Sequence, residues 1–522
     1  MRGLLALVIL TQAISAQNTY NLVIRNARIL DGAGNAWFAG DVAVRGDTIV
    51  AVGMVSHMST NWTLDAKGLT LAPGFIDTHS HGIQGIQQTP AAENLIRQGV
   101  TTIIEGPDGS SPLPIAPFLD KLAQRRIGVN FGLLAGHNSI RQKVMGTENR
   151  RATSAELDAM RLLARQAMLD GAFGLSTGLF YVPGNYAPTE EIIEIAKIVG
   201  ALGGIHTSHM RSESDQVIES VKETIRIGEE GHLPTQVTHH KIIGVSNWGK
   251  SAETLKLIHD ARARGVDATL DAYPYTASST GLGAALVPQW ARAGGSKALR
   301  ERAASPETGR KLRAEMRATL NGTRGGSTKL TLASCGFDRT LAGKTLAAAA
   351  GDRDPVDVAL DYVLRGDCSV VSHSISEEDI ERILRDPLTM IASDGGIPAF
   401  GSDVPHPRNY ATFARVLAYY VRARHTLTLE DAVRKMSGLP AQRFGLQDRG
   451  LIRPGMKADL VLFDPGAIAE NSTFEKPHQY ASGVSYVWVN GLCALMDGRM
   501  TGTLGGRTLY GPAHAGTGEV KP

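Results

Sequence analysis

The motif PGFIDTHSHG places His79 and His81 one residue apart, at the end of a run that predicts a β-strand. In an extended chain, residues i and i+2 point to the same side, so both imidazoles are directed at one place. Neutral imidazole is a good ligand for zinc, and two converging histidines are the start of a metal site. A surface histidine pair is the alternative interpretation of HxH, but the preceding PGFID favours a metal site.

More groups of this kind stand at other predicted strand ends. They occur in GGIHTSHMRSE, QVTHHK and LTMIASDGG, and are His206, His209, His239, His240 and Asp394. In a barrel of parallel strands these ends converge on one face, where such enzymes carry out their chemistry. A hydrogen-bonded core position is the alternative for any single histidine, but it does not account for all of them together.

The segments between these motifs predict the elements that position them. Apolar runs such as VTTIIEG, VNFGLLAG and VDATLDAYPY alternate with helical patterns such as TEEIIEIAKIVGAL. This alternation predicts parallel βα units, for which a closed (β/α)₈ barrel of the TIM type is the economical arrangement. The predicted fold class is therefore α/β.

The two ends of the chain have a sequence pattern that differs from that of the barrel segments. LVIRNARIL and DVAVRGDTIVAVG near one end, and ADLVLFD and SYVWVNG near the other, are short β-branched runs between turn residues. We expect them to join as a small β-sandwich beside the barrel. The predicted organisation is a signal peptide at 1–16, sandwich segments at 17–72 and 446–522, and the barrel at 73–445. A helical insertion at about 280–329, rich in Ala, Arg and Gly, is interpreted as a lid, with a plain surface excursion as the alternative.

The first residues, MRGLLALVILTQAISAQ, have the order of a secretory signal: Arg2, then an apolar run, then small residues. A buried N-terminal strand is the alternative. The signal predicts an exported protein, periplasmic or secreted. No later stretch approaches eighteen unbroken apolar residues, so we expect no membrane association in the mature form.

The amino-acid composition and net charge limit the classes of partner and of protein to be expected. The 522 residues include 54 Lys+Arg and 51 Asp+Glu, a net charge of +3 that gives no reason to expect nucleic acid. With 43% hydrophobic and 20% charged residues, the chain is neither disordered nor fibrous. Cys335, Cys368 and Cys493 do not indicate a disulfide framework; export permits one pair without saying which. The sequence carries no signal for an oligomeric state.

From about Tyr20 to Tyr510 the chain resembles the N-acyl-D-amino-acid deacylases (D-aminoacylases) of the metal-dependent amidohydrolase superfamily. The shared motifs are PGFIDTHSH, GVTTIIEGPDG, GLSTGLFYVPG, THHK, DAYPYTASST, SDGG with PHPR, and GLIRPGMKADLVLFDP. HxH identifies only the superfamily, whereas SHMRSE, THHK and PHPR point to the deacylase branch.

The resemblance implies roles for residues at matching positions. His79 and His81 resemble the pair that holds one metal, His209 and His239 the imidazoles of the other, and Asp394 the general base and acid. The groups that resemble the binding site for the substrate's α-carboxylate are Lys241, Tyr273, Ser279 and Arg408. The implied cofactor is one or two Zn²⁺.

One position departs from the family pattern. Where better-known deacylases carry a bridging Cys in GNCG, this chain has GPDG, which places Asp108 there. A carboxylate also ligates metals but is harder than a thiolate, so Mn²⁺ or Co²⁺ also becomes possible. Glu105 is a competing ligand, and a turn-capping role for Asp108 is the other alternative.

The implied reaction is hydrolysis of the amide bond of a small-molecule N-acyl-D-amino acid, giving a carboxylate and a free D-amino acid. The D configuration rests on the resemblance. The alternatives are a D-peptide or isoaspartyl dipeptidase, a cyclic-amide hydrolase of the hydantoinase or dihydroorotase kind, and a secreted binding protein without catalysis. The presence of Asp394 argues against the last, and the lack of a convincing bridging Lys argues against a cyclic-amide hydrolase.

Overall fold

The computed structural model describes residues 19–55 and 59–514; the predicted signal peptide at 1–16 lies outside the described residues. The strands are β1 Tyr20–Ile29, β2 Phe38–Arg45, β3 Thr48–Gly53, β4 Thr60–Asp65, β5 Thr70–Pro73, β6 Phe75–Asp77, β7 Val100–Glu105, β8 Asn130–Leu133, β9 Ala135–Gly136, β10 Gly174–Gly178, β11 Ile205–His209, β12 Thr235–Val237, β13 Ala268–Ala272, β14 Ser278–Gly281, β15 Leu330–Cys335, β16 Cys368–Ser372, β17 Thr389–Ile391, β18 Leu460–Phe463, β19 Val484–Val489, β20 Leu492–Met496 and β21 Arg499–Met500.

The α-helices are α1 Ile83–Gln88, α2 Glu93–Ile96, α3 Ala116–Ala123, α4 His137–Met145, α5 Ser154–Leu169, α6 Thr189–Ala201, α7 Val217–Gly231, α8 Ser251–Ala263, α9 Leu282–Leu286, α10 Gln289–Arg292, α11 Gly295–Ala304, α12 Pro306–Asn321, α13 Leu346–Ala350, α14 Pro355–Arg365, α15 Glu377–Arg385, α16 Arg408–Arg415, α17 Leu429–Met436 and α18 Gly438–Arg443. A π-helical segment, Val416–Ala423, continues α16. No helix in the described ranges has the length and apolar character needed to cross a membrane.

Parallel strands from two sheets close into the barrel that the sequence predicts. One sheet has the order β6–β7–β8, and the other β9–β10–β11–β12–β13–β17. β8 and β9 form one strand broken at Leu134, whose N–H donates to Glu105 O at 2.8 Å. At the seam, Ser80 pairs with Gly395 in a parallel bridge. With β8 and β9 counted as one, the described chain has the eight strands of a (β/α)₈ barrel, and their carboxyl ends meet on one face.

The strand sequences explain why they sit inside this barrel. Every residue of β7, β10, β11 and β13 is buried, as expected of parallel strands covered on the outside by helices. The helices between them are amphipathic, and some have side-chain capping at their N-termini. In α5, for example, Thr153 and Glu156 form a capping box. The apolar faces of the helices and strands build one large core around the barrel.

A separate sheet joins the two ends of the chain. β5 pairs with β1 from its own segment and with the C-terminal β18, so the sheet runs β21–β20–β19–β18–β5–β1–β2–β3, and β4 also pairs with β1. Its core includes Ile24, Val42, Leu460 and Trp488. The following β6 continues directly into the barrel, so the sheet is fixed to the barrel next to its first strand.

The insertion lies between β13 and β17 and has its own core. Its helical part is followed by β15 and β16, and with β14 these form a three-stranded antiparallel sheet in the order β14–β16–β15. Cys335 and Cys368 face each other on β15 and β16 and form a disulfide, while Cys493 is free. The structure thus gives the pairing that the sequence left open.

Candidate metal centre and substrate cavity

His79 and His81 point into one place at the carboxyl end of β6, as their i, i+2 spacing predicts. His79 Nε2 lies 3.4 Å from Asp108 Oδ1 and 3.7 Å from Asp394 Oδ1. His81 Nε2 lies 3.2 Å from Asp394 Oδ1 and 3.5 Å from Asp108 Oδ2. One potential ligand atom from each of these four residues lies within 4.8 Å of the others.

A second set forms around the same aspartate. His209 Nδ1 lies 3.4 Å from Asp108 Oδ2, His239 Nε2 lies 3.3 Å from Asp108 Oδ1, and the two ring nitrogens are 2.8 Å apart. Asp108 is therefore common to both sets, as a bridging ligand of a two-metal centre would be. Glu105, the competing candidate, turns away and accepts a hydrogen bond from Gly82 N at 2.7 Å.

The loop after β7 is built to direct Asp108 inward. Ser176 Oγ accepts from Gly109 N at 3.1 Å and donates to Gly106 O at 2.5 Å, which fixes the loop to β10. A Cβ atom at Gly178 would lie 2.0 Å from Asp108 O, so this close approach requires glycine. The GLSTG part of the motif GLSTGLFYVPG thereby positions the Asp108 loop.

Three of the converging residues have left-handed backbone conformations. The φ angles are 56° at Asp108, 50° at Asp394 and 36° at His239. Such conformations cost energy in residues other than glycine and cluster where a side chain must be aimed at a functional site. Their occurrence at three strand ends around one point marks that point as the functional centre.

The donor set fits a divalent cation. Both ring nitrogens of His79 and Oδ1 of Asp108 are buried without a hydrogen-bond partner among the described residues. Burial and the Lys241 cation disfavour protonation of His239, but the carboxylates of Glu213 and Asp108 outweigh them and raise its pKa to about 10. The centre therefore favours positive charge, and a metal ion competes with protons for the same nitrogens.

His206 and His240 lie outside both sets. His206 is buried in the barrel, with its ring nitrogens 3.0 Å from Thr177 Oγ1 and 2.9 Å from Thr235 Oγ1. His240 Nε2 lies 2.8 Å from Thr254 Oγ1. Both are hydrogen-bonded core histidines, the alternative that the sequence left open.

Asp394 faces the metal ligands on one side and an arginine on the other. Arg408 Nη1 donates to Asp394 Oδ2 at 2.8 Å, in a buried ion pair. Burial raises the pKa of Asp394, but the Arg408 cation, His81 and neighbouring imidazoles outweigh this and hold it far below its usual range. Asp394 is thus ionised, with Oδ1 facing the two histidines and Oδ2 held by Arg408.

The residues predicted to bind a carboxylate gather beside this pair. The Arg408 guanidinium lies 5.1 Å from the centre of the Tyr273 ring, and Lys241 Nζ lies 5.4 Å from it. Tyr273 Oη is buried without a hydrogen-bond partner in the described chain. Ser279, on β14, lines the cavity that Lys241, Asp394 and Arg408 also line. Two cations and the Tyr273 ring therefore lie together next to Asp394.

The centre lies at the base of a cavity of about 1020 Å³. Barrel loops line one part of it, and residues of the insertion line another, including Thr280, Gln289, Arg324 and Ser334. The volume is large enough to hold a small organic substrate.

The sequence of this chain is similar to those of known proteins along nearly its whole length. The chain is 36% identical to the D-aminoacylase of Alcaligenes xylosoxydans xylosoxydans over 520 residues, covering 95% of this chain and 98% of that protein. It belongs to the D-aminoacylase branch of the amidohydrolases. An amidohydrolase family model matches residues 347–494. The N-acyl-D-aspartate deacylase of the same organism is 36% identical over 506 residues, covering 92% and 93% of the two chains.

A solved structure of the same branch is the N-acyl-D-glutamate deacylase from Bordetella bronchiseptica, complexed with zinc and a phosphonate mimic of the tetrahedral intermediate. It superposes with a TM-score of 0.81 at 31% identity, and the match covers 94% of this chain and all of that one. The TIM-like barrel with a small β domain is thus the fold of this amidohydrolase.

Two residues that the sequence motifs did not single out contact the candidate metal ligands of this amidohydrolase. Glu213 Oε1 lies 3.1 Å from His239 Nδ1 and accepts from Lys241 Nζ at 2.5 Å. The rings of Tyr181 and His209 are 4.6 Å apart in a T-shaped contact. Both residues lie in motifs noted above, SHMRSE and GLSTGLFYVPG. Because a buried metal-ligating histidine usually needs a partner for its second nitrogen, the nearby Glu213 was the detectable signal.

Proposed function

We propose that this amidohydrolase cleaves the amide bond of N-acyl-D-amino acids and releases a carboxylate and a free D-amino acid. The observation that supports this best is the position of Asp394, which contacts the metal ligands and also the carboxylate-binding group Arg408. A substrate with a carboxylate next to its scissile amide matches that spacing. The named activities of its D-aminoacylase and N-acyl-D-aspartate deacylase relatives agree with the proposal.

Five residues of the two converging sets would hold the metal: His79, His81, Asp108, His209 and His239. Asp394 lies beside them and is assigned to proton transfer. Zinc fits the imidazoles, and the hard Asp108 carboxylate also admits Mn²⁺ or Co²⁺. A divalent ion there supplies Lewis-acid chemistry, polarising the acyl carbonyl and making water more acidic. Glu213 orients His239 from behind through its contact with Nδ1.

Asp394 performs the proton transfers in this proposal. As an ionised carboxylate it takes a proton from the attacking water and then delivers that proton to the departing nitrogen, because an unprotonated amine is a poor leaving group. Its backbone N–H donates to His79 O at 2.9 Å, which fixes the carboxylate relative to the first metal ligand.

Substrate orientation comes from the opposite side of Asp394. Arg408 can hold a carboxylate through two parallel hydrogen bonds, and Lys241 and Tyr273 add a second cation and a hydroxyl group. With the carboxylate and the carbonyl both held, a single enantiomer directs its side chain into the open cavity. That enantiomer is D in the proposal, which here follows the names of the relatives.

The test is release of free amino acid from N-acetyl-D- and N-acetyl-L-amino acids by metal-loaded protein, with hydantoin and an isoaspartyl dipeptide in the same panel. We expect turnover of the D series. Asp394→Asn should lower kcat by about 10²–10⁴-fold, the usual contribution of a positioned acid–base group, while metal content is retained. Asp403→Asn, at an exposed acid on the cavity rim, is the matched control. Turnover of hydantoin or the dipeptide alone would refute the assignment.

We further propose that the protein is exported. The support is the order of charge, apolar run and small residues in the first sixteen positions, and the Cys335–Cys368 disulfide, which is typical of oxidising compartments. N-terminal sequencing of the protein recovered from a fractionated native host tests this. A start near residue 17 outside the cytoplasm supports the proposal, and an intact N-terminus in the cytoplasm contradicts it.

A further inference from the structure

The insertion contributes a buried arginine to the cavity, and the proposed reaction gives it no role. Arg324 follows α12, lines the cavity and is only 5% exposed. Its Nε donates to Ala285 O at 3.3 Å, which fixes one side of the guanidinium to the insertion. Nη1 is buried and has no hydrogen-bond partner among the described residues.

Other buried arginines of the described chain have acidic partners. Arg141 pairs with Glu191, Arg408 with Asp394 and Arg449 with Asp459. An unpaired buried guanidinium is costly, because water no longer solvates the charge and nothing replaces it. Glu213 is the acid that acts most strongly on Arg324 through the cavity, yet that carboxylate is already bonded to Lys241 Nζ at 2.5 Å. Arg324 is therefore a cation prepared for an anion that enters with the substrate.

The α-carboxylate is not the anion that Arg324 requires. The proposed function assigns that carboxylate to Arg408, Lys241 and Tyr273, which lie together beside Asp394. Arg324 comes from the insertion, and most of the insertion residues that line the cavity with it are polar, with Ala333 as the apolar one. The polar ones include Thr280, Thr323, Ser334 and Ser369. Tyr181 Oη also lies 3.2 Å from Thr280 Oγ1 at this wall. An apolar substrate side chain here would leave a cation and several hydroxyl groups without partners.

We propose that Arg324 binds a carboxylate on the substrate's side chain, so that this enzyme prefers N-acyl derivatives of acidic D-amino acids over neutral ones. The proposal deepens the proposed function and rests on it. A side-chain carboxylate accepts two charge-assisted hydrogen bonds from the guanidinium fork, whereas an amide of the same shape presents one acceptor and two unwanted donors.

The test compares N-acetyl-D-glutamate with N-acetyl-D-glutamine, which match in size and differ in charge. We expect the native enzyme to have a kcat/KM about 100-fold higher for glutamate, in line with a buried charged pair. Arg324→Met should remove this preference by lowering kcat/KM for glutamate while leaving glutamine within about threefold. Because misfolding would lower both substrates equally, the ratio reports Arg324 itself. N-acetyl-D-aspartate extends the test to the shorter acid.

Arg292→Met is the matched control. Arg292 also belongs to the insertion and is partly buried, but lines a separate cavity of about 350 Å³ with Asp367. The Arg292→Met variant should keep the native preference for N-acetyl-D-glutamate over N-acetyl-D-glutamine. An equal loss for both substrates in Arg324→Met that keeps the native circular dichroism and metal content would overturn the proposal, because a folded variant of that kind would place Arg324 on the α-carboxylate. A native preference for glutamine would overturn it as well.

A binding measurement separates this proposal from the proposed function. Calorimetry with Asp394→Asn, which cannot complete the proton transfers, should show tighter binding of N-acetyl-D-glutamate than of N-acetyl-D-glutamine, and Arg324→Met added to it should abolish the difference. Selective binding with no turnover by the native enzyme would support Arg324 and refute the deacylase reaction. Turnover of D substrates with equal binding of both ligands would support the deacylase reaction and refute the role of Arg324.

Discussion

At the scale of single residues, Asp108 is the position on which both sets of metal ligands depend. One oxygen lies near His79 and His239, and the other near His81 and His209. Burial raises its pKa, but the surrounding imidazoles outweigh that and hold it well below the usual range. An ionised carboxylate between four imidazoles would lower the repulsion between two bound cations more than a neutral group would.

Asp108→Asn should therefore weaken metal binding. The amide has a similar shape but no charge, and we expect at least a 100-fold loss of affinity, above the 10–100-fold typical of residues behind the ligands. Metal content after dialysis against a graded chelator series checks this. Glu105→Gln is the control, because Glu105 is also buried and three positions away but accepts a hydrogen bond from Gly82 N. Equal metal loss in both variants would show that Asp108 is not a ligand.

The candidate metal ligands at the carboxyl ends of strands could be predicted from the sequence. The carboxyl ends of parallel barrel strands converge on one face regardless of the conformation of the loops that follow them. Strand alternation also separates His206 from His209, three positions apart and therefore on opposite faces of β11. Arg324 could not be predicted to reach the cavity, since it follows a long insertion helix whose packing depends on tertiary contacts. Glu213 follows β11 in a loop, so the only signal for it in the sequence was an acid four positions after His209.

At the scale of elements, the β14–β16–β15 sheet holds the insertion against the barrel mouth. β14 carries Ser279 into the cavity, and its neighbour β16 is joined to β15 by the Cys335–Cys368 bond. The bond closes a loop of 33 residues that contains α13 and α14. The same unit supplies Arg324, so its rigidity determines how well that wall of the cavity is positioned.

Replacing Cys335 and Cys368 together by Ser should lower the free energy of unfolding of the insertion by about 3 kcal/mol, because the unfolded chain regains the freedom of that loop. Chemical denaturation of the native and double-variant proteins measures the difference. Cys493→Ser, at a half-buried free thiol outside the insertion, should change stability much less. A double variant as stable as the native protein would contradict the expected role of the bond.

At the scale of the whole molecule, a buried polar cluster connects the terminal sheet to the barrel. Asp459 accepts from Arg449 Nη1 at 2.6 Å, from Asn130 Nδ2 on β8 at 2.9 Å and from Asn490 N at 2.6 Å. Its backbone carbonyl accepts from Gly74 N at 2.8 Å, between β5 and β6. One residue thus joins both chain ends and a barrel strand.

Asp459→Ala should lower the free energy of unfolding by about 3–5 kcal/mol, since it leaves the buried Arg449 charge without its main partner. Asp448→Ala removes a half-exposed partner of the same arginine and should cost about 1 kcal/mol or less. Denaturation curves for both variants give the comparison. Equal small losses would show that the cluster does not join the two parts.

The barrel seam also determines when the site can form during synthesis of the chain. Ser80 and Gly395 bridge the first and last barrel strands although they are 315 positions apart, and Asp394 hydrogen-bonds to His79 at the same seam. A ribosome has therefore made three-quarters of the protein before the first histidine meets the acid–base carboxylate. Truncated products ending before β17 retain the HxH motif but lack a finished site, so premature termination yields inert chains rather than partly active ones.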